Sequence, residues 1–177
     1  RRVLFRSRRD GAKYEVGEAL SFRLSDGLRA VLPQEAGDVV LAGMGGELIL
    51  RIVGETPWLR DGAKRLVLQP MSSVAELRRG LAELGFQVLQ EQAVVDGGKV
   101  YSAFSAAYQG APVENGPLYP YLGKLIPGAP HVEDYARKVL RSLEAQRQGA
   151  LHQGDSQRAA QLEGLLSQIG QIYLPQA

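Results

Sequence analysis

The 177-residue chain has no cysteine and only two histidines. Without thiols it forms no disulfide, presents no thiolate nucleophile and offers no sulfur to a metal, which suits a reducing cytoplasm. His131 and His152 have no second ligand at metal spacing. They read as solvated surface groups, so neither a metal site nor histidine-based catalysis is expected. No apolar run approaches the roughly 18 residues needed to cross a bilayer, and no signal-like pattern is present. The expected protein is cytoplasmic, with no metal and no membrane partner.

The formal charge is +2 and the isoelectric point about 9.0, a balance that invites a polyanionic partner. Arg1, Arg2 and Arg6 all fall in the opening RRVLFRS, however. Residues 1–7 back-translate to AGA CGT GTG CTC TTC CGA TCT, the end of a common sequencing adapter. They are therefore expected to be non-native, on a reading frame broken at its 5′ end. Without these three arginines the formal charge falls from +2 to −1, and global charge no longer argues for nucleic acid. Recurrence of the same bases in independent clones of the gene would refute this origin.

Composition is 45% hydrophobic, enough for one core of domain size plus an appendage. Residues 20–24 alternate into Ser25, Asp26 and Gly27, as a short strand with a polar exit, and residues 28–32 make a helical turn ended by Pro33. Val39, Val40, Leu41 and Ala42 form an apolar run expected to be a strand buried on both faces, broken by Gly43, Met44, Gly45 and Gly46. Residues 47–53 read as helix, and Leu66, Val67 and Leu68 as a second buried strand stopping at Gln69 and Pro70. Strand, turn, helix, strand implies parallel pairing.

Ser73 and Glu76 have capping-box spacing, and Val74, Leu77, Leu81 and Leu84 recur at helical period until Gly85. Residues 86–95 and 99–108 are strand-like and meet at Asp96, Gly97 and Gly98, which predicts an antiparallel hairpin. Residues 111–130, dense in proline and glycine, read as a linker between a sheet domain at 8–110 and a helical domain at 131–177. In the latter, Val132, Tyr135, Val139, Leu140 and Leu143 mark one helix and Leu162, Leu165, Leu166, Ile169 and Ile172 another, separated by residues 148–154 and expected to pack as a hairpin.

Open α/β sheets bind ligands at the carboxyl ends of their strands, so the exits carry the candidate chemistry. Asp26 could accept from an exocyclic amine or simply turn the chain. The glycines at 43, 45 and 46 could admit a ligand to the backbone or only serve a tight turn. This segment also imitates a dinucleotide fingerprint, but Leu48 occupies the third glycine position and Gln69 ends the next strand where a ribose-binding acid belongs. Gln69 offers an amide donor and acceptor suited to an adenine edge, on a loop fixed by Pro70. Glu133 with Arg137, and Asp134 with Lys138, have the i,i+4 spacing of helical ion pairs.

In order, LSDGL, DVVLAGMGGELI, RLVLQP and GFQVLQEQAVVDGGKVYSA resemble the TrmK family, the bacterial tRNA (adenine(22)-N1)-methyltransferases. The resemblance runs from about residue 18 to 108, with a weaker echo at Asn115-Gly116-Pro117. It implies a class I methyltransferase, an α/β Rossmann-like sheet ending in an antiparallel hairpin and followed by a helical, coiled-coil-like domain. It implies S-adenosyl-L-methionine as cofactor and tRNA as partner. Asp26 and Gly27, with Ala42, Gly43, Met44, Gly45 and Gly46, match the cofactor-binding positions, and Gln69 and Pro70 the catalytic, substrate-side loop. Counterparts of the family's first two strands are not found, so the chain reads as N-terminally truncated, inactive alone and poorly soluble through an exposed strand edge.

Adenine N1 carries its lone pair in the neutral base, so methyl transfer needs orientation and desolvation more than a proton acceptor. A target base must leave its stack, and folded RNA is gripped by its phosphates. Arg137, Arg141 and Arg158 are the expected RNA-binding residues. The alternatives are methylation of another RNA or of a small molecule, and a non-enzymatic nucleotide- or protein-binding module.

Overall fold

The computed structural model describes Lys13 and residues 20–175, and residues 1–7 lie outside that range. The chain divides into two compact units, Arg1–Ala36 and Gly37–Ala177.

In the first unit residues 20–24 form no strand, contrary to the sequence pattern. Among the described residues this alternating stretch has no ladder partner, and a strand without one is not stable. Polar contacts order the segment instead. Arg23 forks onto Glu35 at 2.6 and 2.5 Å and reaches the Ala30 carbonyl at 3.0 Å. The turn after Ser25 is held by its Oγ, which accepts from the Ala30 amide at 3.0 Å. Pro33–Glu35 form one 3-10 turn, and the Glu35 carboxylate accepts the Leu32 amide at 2.7 Å.

The second unit contains β1 (Asp38–Gly45), α1 (Gly46–Gly54), β2 (Arg65–Ser72), α2 (Val74–Glu83), β3 (Phe86–Asp96), β4 (Lys99–Tyr108), α3 (Tyr119–Leu122), α4 (Val132–His152) and α5 (Ser156–Tyr173). The sheet order is β1-β2-β4-β3. β1 and β2 pair in parallel, as the strand-helix-strand pattern requires, and β4 runs antiparallel to both β2 and β3. The β3–β4 turn is the expected one: Asp96 pairs with Lys99 around Gly97 and Gly98, both at positive φ (53° and 73°), the geometry of a two-residue primed turn.

The apolar runs of β1 and β2 are not buried on both faces. Val39, Leu41, Leu66 and Leu68 are buried, whereas Val40 is 65% and Val67 38% exposed. Ile49, Ile52 and Val53 of α1 and Leu77 and Leu81 of α2 are buried, on elements that pack against each other and the sheet.

β1 also does not end at Ala42. It continues to Gly45 through two register shifts beside Met44, a bulge that Gly43 absorbs at φ 73°. β2 likewise runs past Pro70, which is tolerated because β4 pairs with β2 only over residues 66–68, leaving no ladder bond on that side for a proline to lose. Ser73 precedes α2 as expected, but in the left-handed region and without a side-chain cap. Its hydroxyl donates to Glu47 at 3.3 Å instead, so the capping box is not formed.

Residues 111–130, expected as a linker, also build core: Leu122 and Leu125 are buried with Val132, Tyr135, Leu143, Leu162 and Ile169. α4 extends to His152, through residues assigned by sequence to the interhelix loop, and only residues 153–155 separate it from α5. The Asp155 carboxylate caps α5 by accepting the Arg158 amide at 2.9 Å. The short loop makes the helices antiparallel, and Arg147 of α4 meets Glu163 of α5 at 3.2 Å.

Candidate functional site

The parallel pair β1/β2 ends where the chemistry was expected. The Gly43 amide donates to Oε1 of Gln69 at 3.0 Å, joining the two strand exits. That bond fixes the orientation of the Gln69 amide, because only its oxygen can accept from an N–H. Nε2 is then turned away, with the Pro70 carbonyl at 3.4 Å and the Met71 thioether at 3.5 Å as weak partners. Gln69 therefore presents chiefly a donor, where the sequence suggested donor and acceptor alike.

The three glycines do different things. A Cβ on Gly43 would meet nothing within 4 Å, so its backbone is bare to an approaching molecule. A Cβ on Gly45 would lie 3.2 Å from the Ser72 hydroxyl, and one on Gly46 2.3 Å from the Ser73 carbonyl oxygen. Gly46 is thus a packing requirement between the β1–α1 and β2–α2 turns. Ala42 is exposed and Met44 half-buried beside them. Asp26 and Gly27 belong to the first unit, where Asp26 lies 3.6 Å from Arg29 and Gly27 takes φ 58°.

On the helical side, Arg137 is engaged by Glu133 at 2.6 Å, as its spacing predicted. Asp134 does not pair with Lys138. The Lys138 ammonium turns inward to the Val100 carbonyl at 2.8 Å and lies 5.3 Å from the Tyr101 ring and 5.7 Å from that of Tyr135. Its partial burial lowers its pKa. Arg141 and Arg158 are exposed. Arg137 and Arg141 line a recess of about 610 Å³ with Lys99 and Met71, and Arg158 lines a cavity of about 320 Å³. Among the described residues no three potential ligands gather as a metal site, and no helix is long and apolar enough to cross a membrane.

Sequence reasoning missed one polar centre. Arg78 of α2 is wholly buried. It pairs with Glu91 of β3 at 2.5 Å, donates to the Pro120 and Tyr121 carbonyls at 2.8 Å each, and reaches Ser102 at 3.2 Å and the Tyr135 hydroxyl at 3.3 Å. The other Glu91 oxygen accepts the Lys124 amide at 2.9 Å. No buried side-chain polar atom of the described residues is left without a partner. The signal was present: Arg78 falls on the Val74–Leu77–Leu81 stripe, and a basic residue on an apolar helix face calls for a buried acid.

Residues 2–104 match a family model described as a methyltransferase domain, and the chain belongs to that family. Its fold is shared with several solved structures. An uncharacterized protein from Listeria monocytogenes serotype 4b is 20% identical, with a TM-score of 0.76 over 93% of this chain and 75% of that one. The Bacillus subtilis m1A22 tRNA methyltransferase TrmK is 20% identical, with a TM-score of 0.73 over 96% and 77%. TrmK of M. capricolum, solved with S-adenosyl-homocysteine, is 15% identical, with a TM-score of 0.73 over 96% and 76%. No curated protein matches the chain.

Proposed function

We propose that this protein is an S-adenosyl-L-methionine-dependent methyltransferase acting on N1 of an adenine in tRNA. The observation that carries this reading is the Gly43–Gln69 hydrogen bond, which brings a bare backbone segment and an oriented amide donor together at the carboxyl ends of the parallel strands. Membership of the methyltransferase family and the fold shared with TrmK structures support it.

The residues present fit the cofactor: the unobstructed Gly43 backbone leaves room for a bulky ligand at a strand exit, where such folds bind nucleosides. When bound, S-adenosyl-L-methionine supplies an electrophilic methyl group on a sulfonium. Ala42, Gly43, Met44, Gly45 and Gly46 would hold it. Gln69 would donate through Nε2 to the target ring and orient it, and Pro70 would restrict the loop. No side chain is asked to remove a proton before the bond forms, since adenine N1 already offers its lone pair. Arg137, Arg141 and Arg158 would contact phosphates of the RNA in the cytoplasm.

The test is transfer of a tritiated methyl group from S-adenosyl-L-methionine to unmodified tRNA transcripts by the gene's full-length product, followed by nucleoside mass spectrometry. The expected product is 1-methyladenosine. Methylation of a different base, or of no RNA by protein that binds the cofactor, would overturn the reading in favour of another substrate or of a binding module.

A further inference from the structure

The cavity of about 320 Å³ begins one residue beyond Pro70, with Met71, Ser72 and Ser73 on one side and α4 and α5 on the other. Its volume is at the small end of ligand sites, room for one nucleotide-sized group. Tyr121, Val139 and Leu143 give it an apolar wall suited to the face of a base. Glu76 and Gln146 offer an acceptor and an amide for a base edge. Its charged lining includes the cations Arg79 and Arg158 against the one carboxylate of Glu76, while the Lys138 ammonium is turned to the Val100 carbonyl, so an anionic occupant is favoured.

We propose that this cavity is a second nucleotide pocket, which takes an unpaired ribonucleotide neighbouring the methylated adenine in the RNA substrate. The inference rests on the reading of the chain as a tRNA methyltransferase and adds to it the site where sequence context is read. Enzymes that extrude a base commonly set their context preference through contacts to the flanking nucleotides. The cavity is placed for this, because Met71, which follows Gln69 and Pro70 in β2, lines it. Met71 and Lys138 also line the recess that holds Lys99 and Arg141. A strand entering the cavity therefore finds further cations for its next phosphates, which a free mononucleotide would not need.

Ser142 lines the cavity and is exposed, so Ser142→Phe fills the space without disturbing the core. Affinity is read by fluorescence anisotropy on the full chain, with intact tRNA and with tRNAs carrying an abasic nucleotide at each unpaired position in turn. For the wild-type protein one abasic position outside the methylated adenine should weaken binding about tenfold, the size of one lost base-stacking contact. Ser142→Phe should bind intact tRNA about tenfold more weakly and no longer distinguish that abasic RNA from the intact one. Gln146→Ala, which leaves the cavity open, should lose part of the discrimination. If Ser142→Phe discriminates as the wild type does, the pocket is not used by RNA and the proposal falls. If instead AMP alone binds the wild type in calorimetry and Ser142→Phe abolishes it, the site serves a free nucleotide and the proposal also falls. A loss of discrimination together with methylation of a base other than adenine would sink the proposed activity and leave this pocket standing.

Discussion

Gly46 and Gln69 separate packing from chemistry at single positions. Gly46→Ala drives a Cβ to 2.3 Å from the Ser73 carbonyl, a backbone atom that cannot swing aside. Overpacking of this kind costs about 1–3 kcal/mol, and urea unfolding should show that loss. Gln69→Ala removes only a half-buried side chain whose partner, the Gly43 amide, is exposed to water. It should unfold close to the wild type, yet lower the methylation rate constant about a hundredfold, the usual size for one oriented donor. Single-turnover kinetics of the gene's full-length product with saturating cofactor would check this, and an unchanged rate would remove Gln69 from the site.

Element by element, α4 and α5 carry two kinds of charge. The Glu144 carboxylate is held down to about 2 by hydrogen bonds from Arg147 and Gln148. Its folded pKa lies below its ordinary value of 4.5, so its contribution to stability is present above that value and is lost as the pH falls through about 2. Carboxyl NMR titration should find this midpoint, and Arg147→Gln should move it toward 4.5. The exposed cations behave differently. Neutralising Arg141 and Arg158 together should make the slope of log affinity against log salt for tRNA shallower by about 2. Arg137→Gln should change it less, because Glu133 already engages that guanidinium.

Elements whose order is local were legible in the sequence. The β3–β4 hairpin follows from Asp96-Gly97-Gly98, and α2 from its apolar period and Gly85. The parallel β1/β2 pair follows from the alternation of element types. What was illegible was decided across the chain. Ser73 looks like a cap, but its carbonyl is pressed against Gly46, and the left-handed backbone that results leaves its hydroxyl to Glu47. Lys138 has the spacing to meet Asp134, but two tyrosine rings and the Val100 carbonyl offer it a better place. In the site, Gln69 and Gly43 were each named, yet the hydrogen bond that turns the amide depends on register between strands, which no local pattern encodes.

At the scale of the whole molecule, the second unit is one body because α2, β3, β4, α3 and α4 all meet at Arg78. Arg78→Met leaves Glu91 as a buried unpaired charge and should cost about 3–5 kcal/mol, and Glu91→Leu strands Arg78 similarly. The double variant should recover much of that loss, since neither charge is then orphaned. Chemical denaturation followed at Trp58, in the turn that packs on α1, and by far-ultraviolet circular dichroism, which also reports the helices, should give coincident transitions in the wild type. Non-coincidence in the single variants would show the two parts coming apart.

That shared centre also limits how such a protein can be altered. The Arg78–Glu91 pair can be exchanged for apolar residues only by passing through a form that carries a stranded charge, so stepwise substitution meets a barrier that a simultaneous change does not. Gly123 is caught in the same constraint: a Cβ there would overlap the Glu91 carboxylate. The helical pair is therefore not a portable module. Grafted onto another sheet it would need Arg78, Glu91, Ser102, Gly123 and Tyr135 to travel with it as one inherited set.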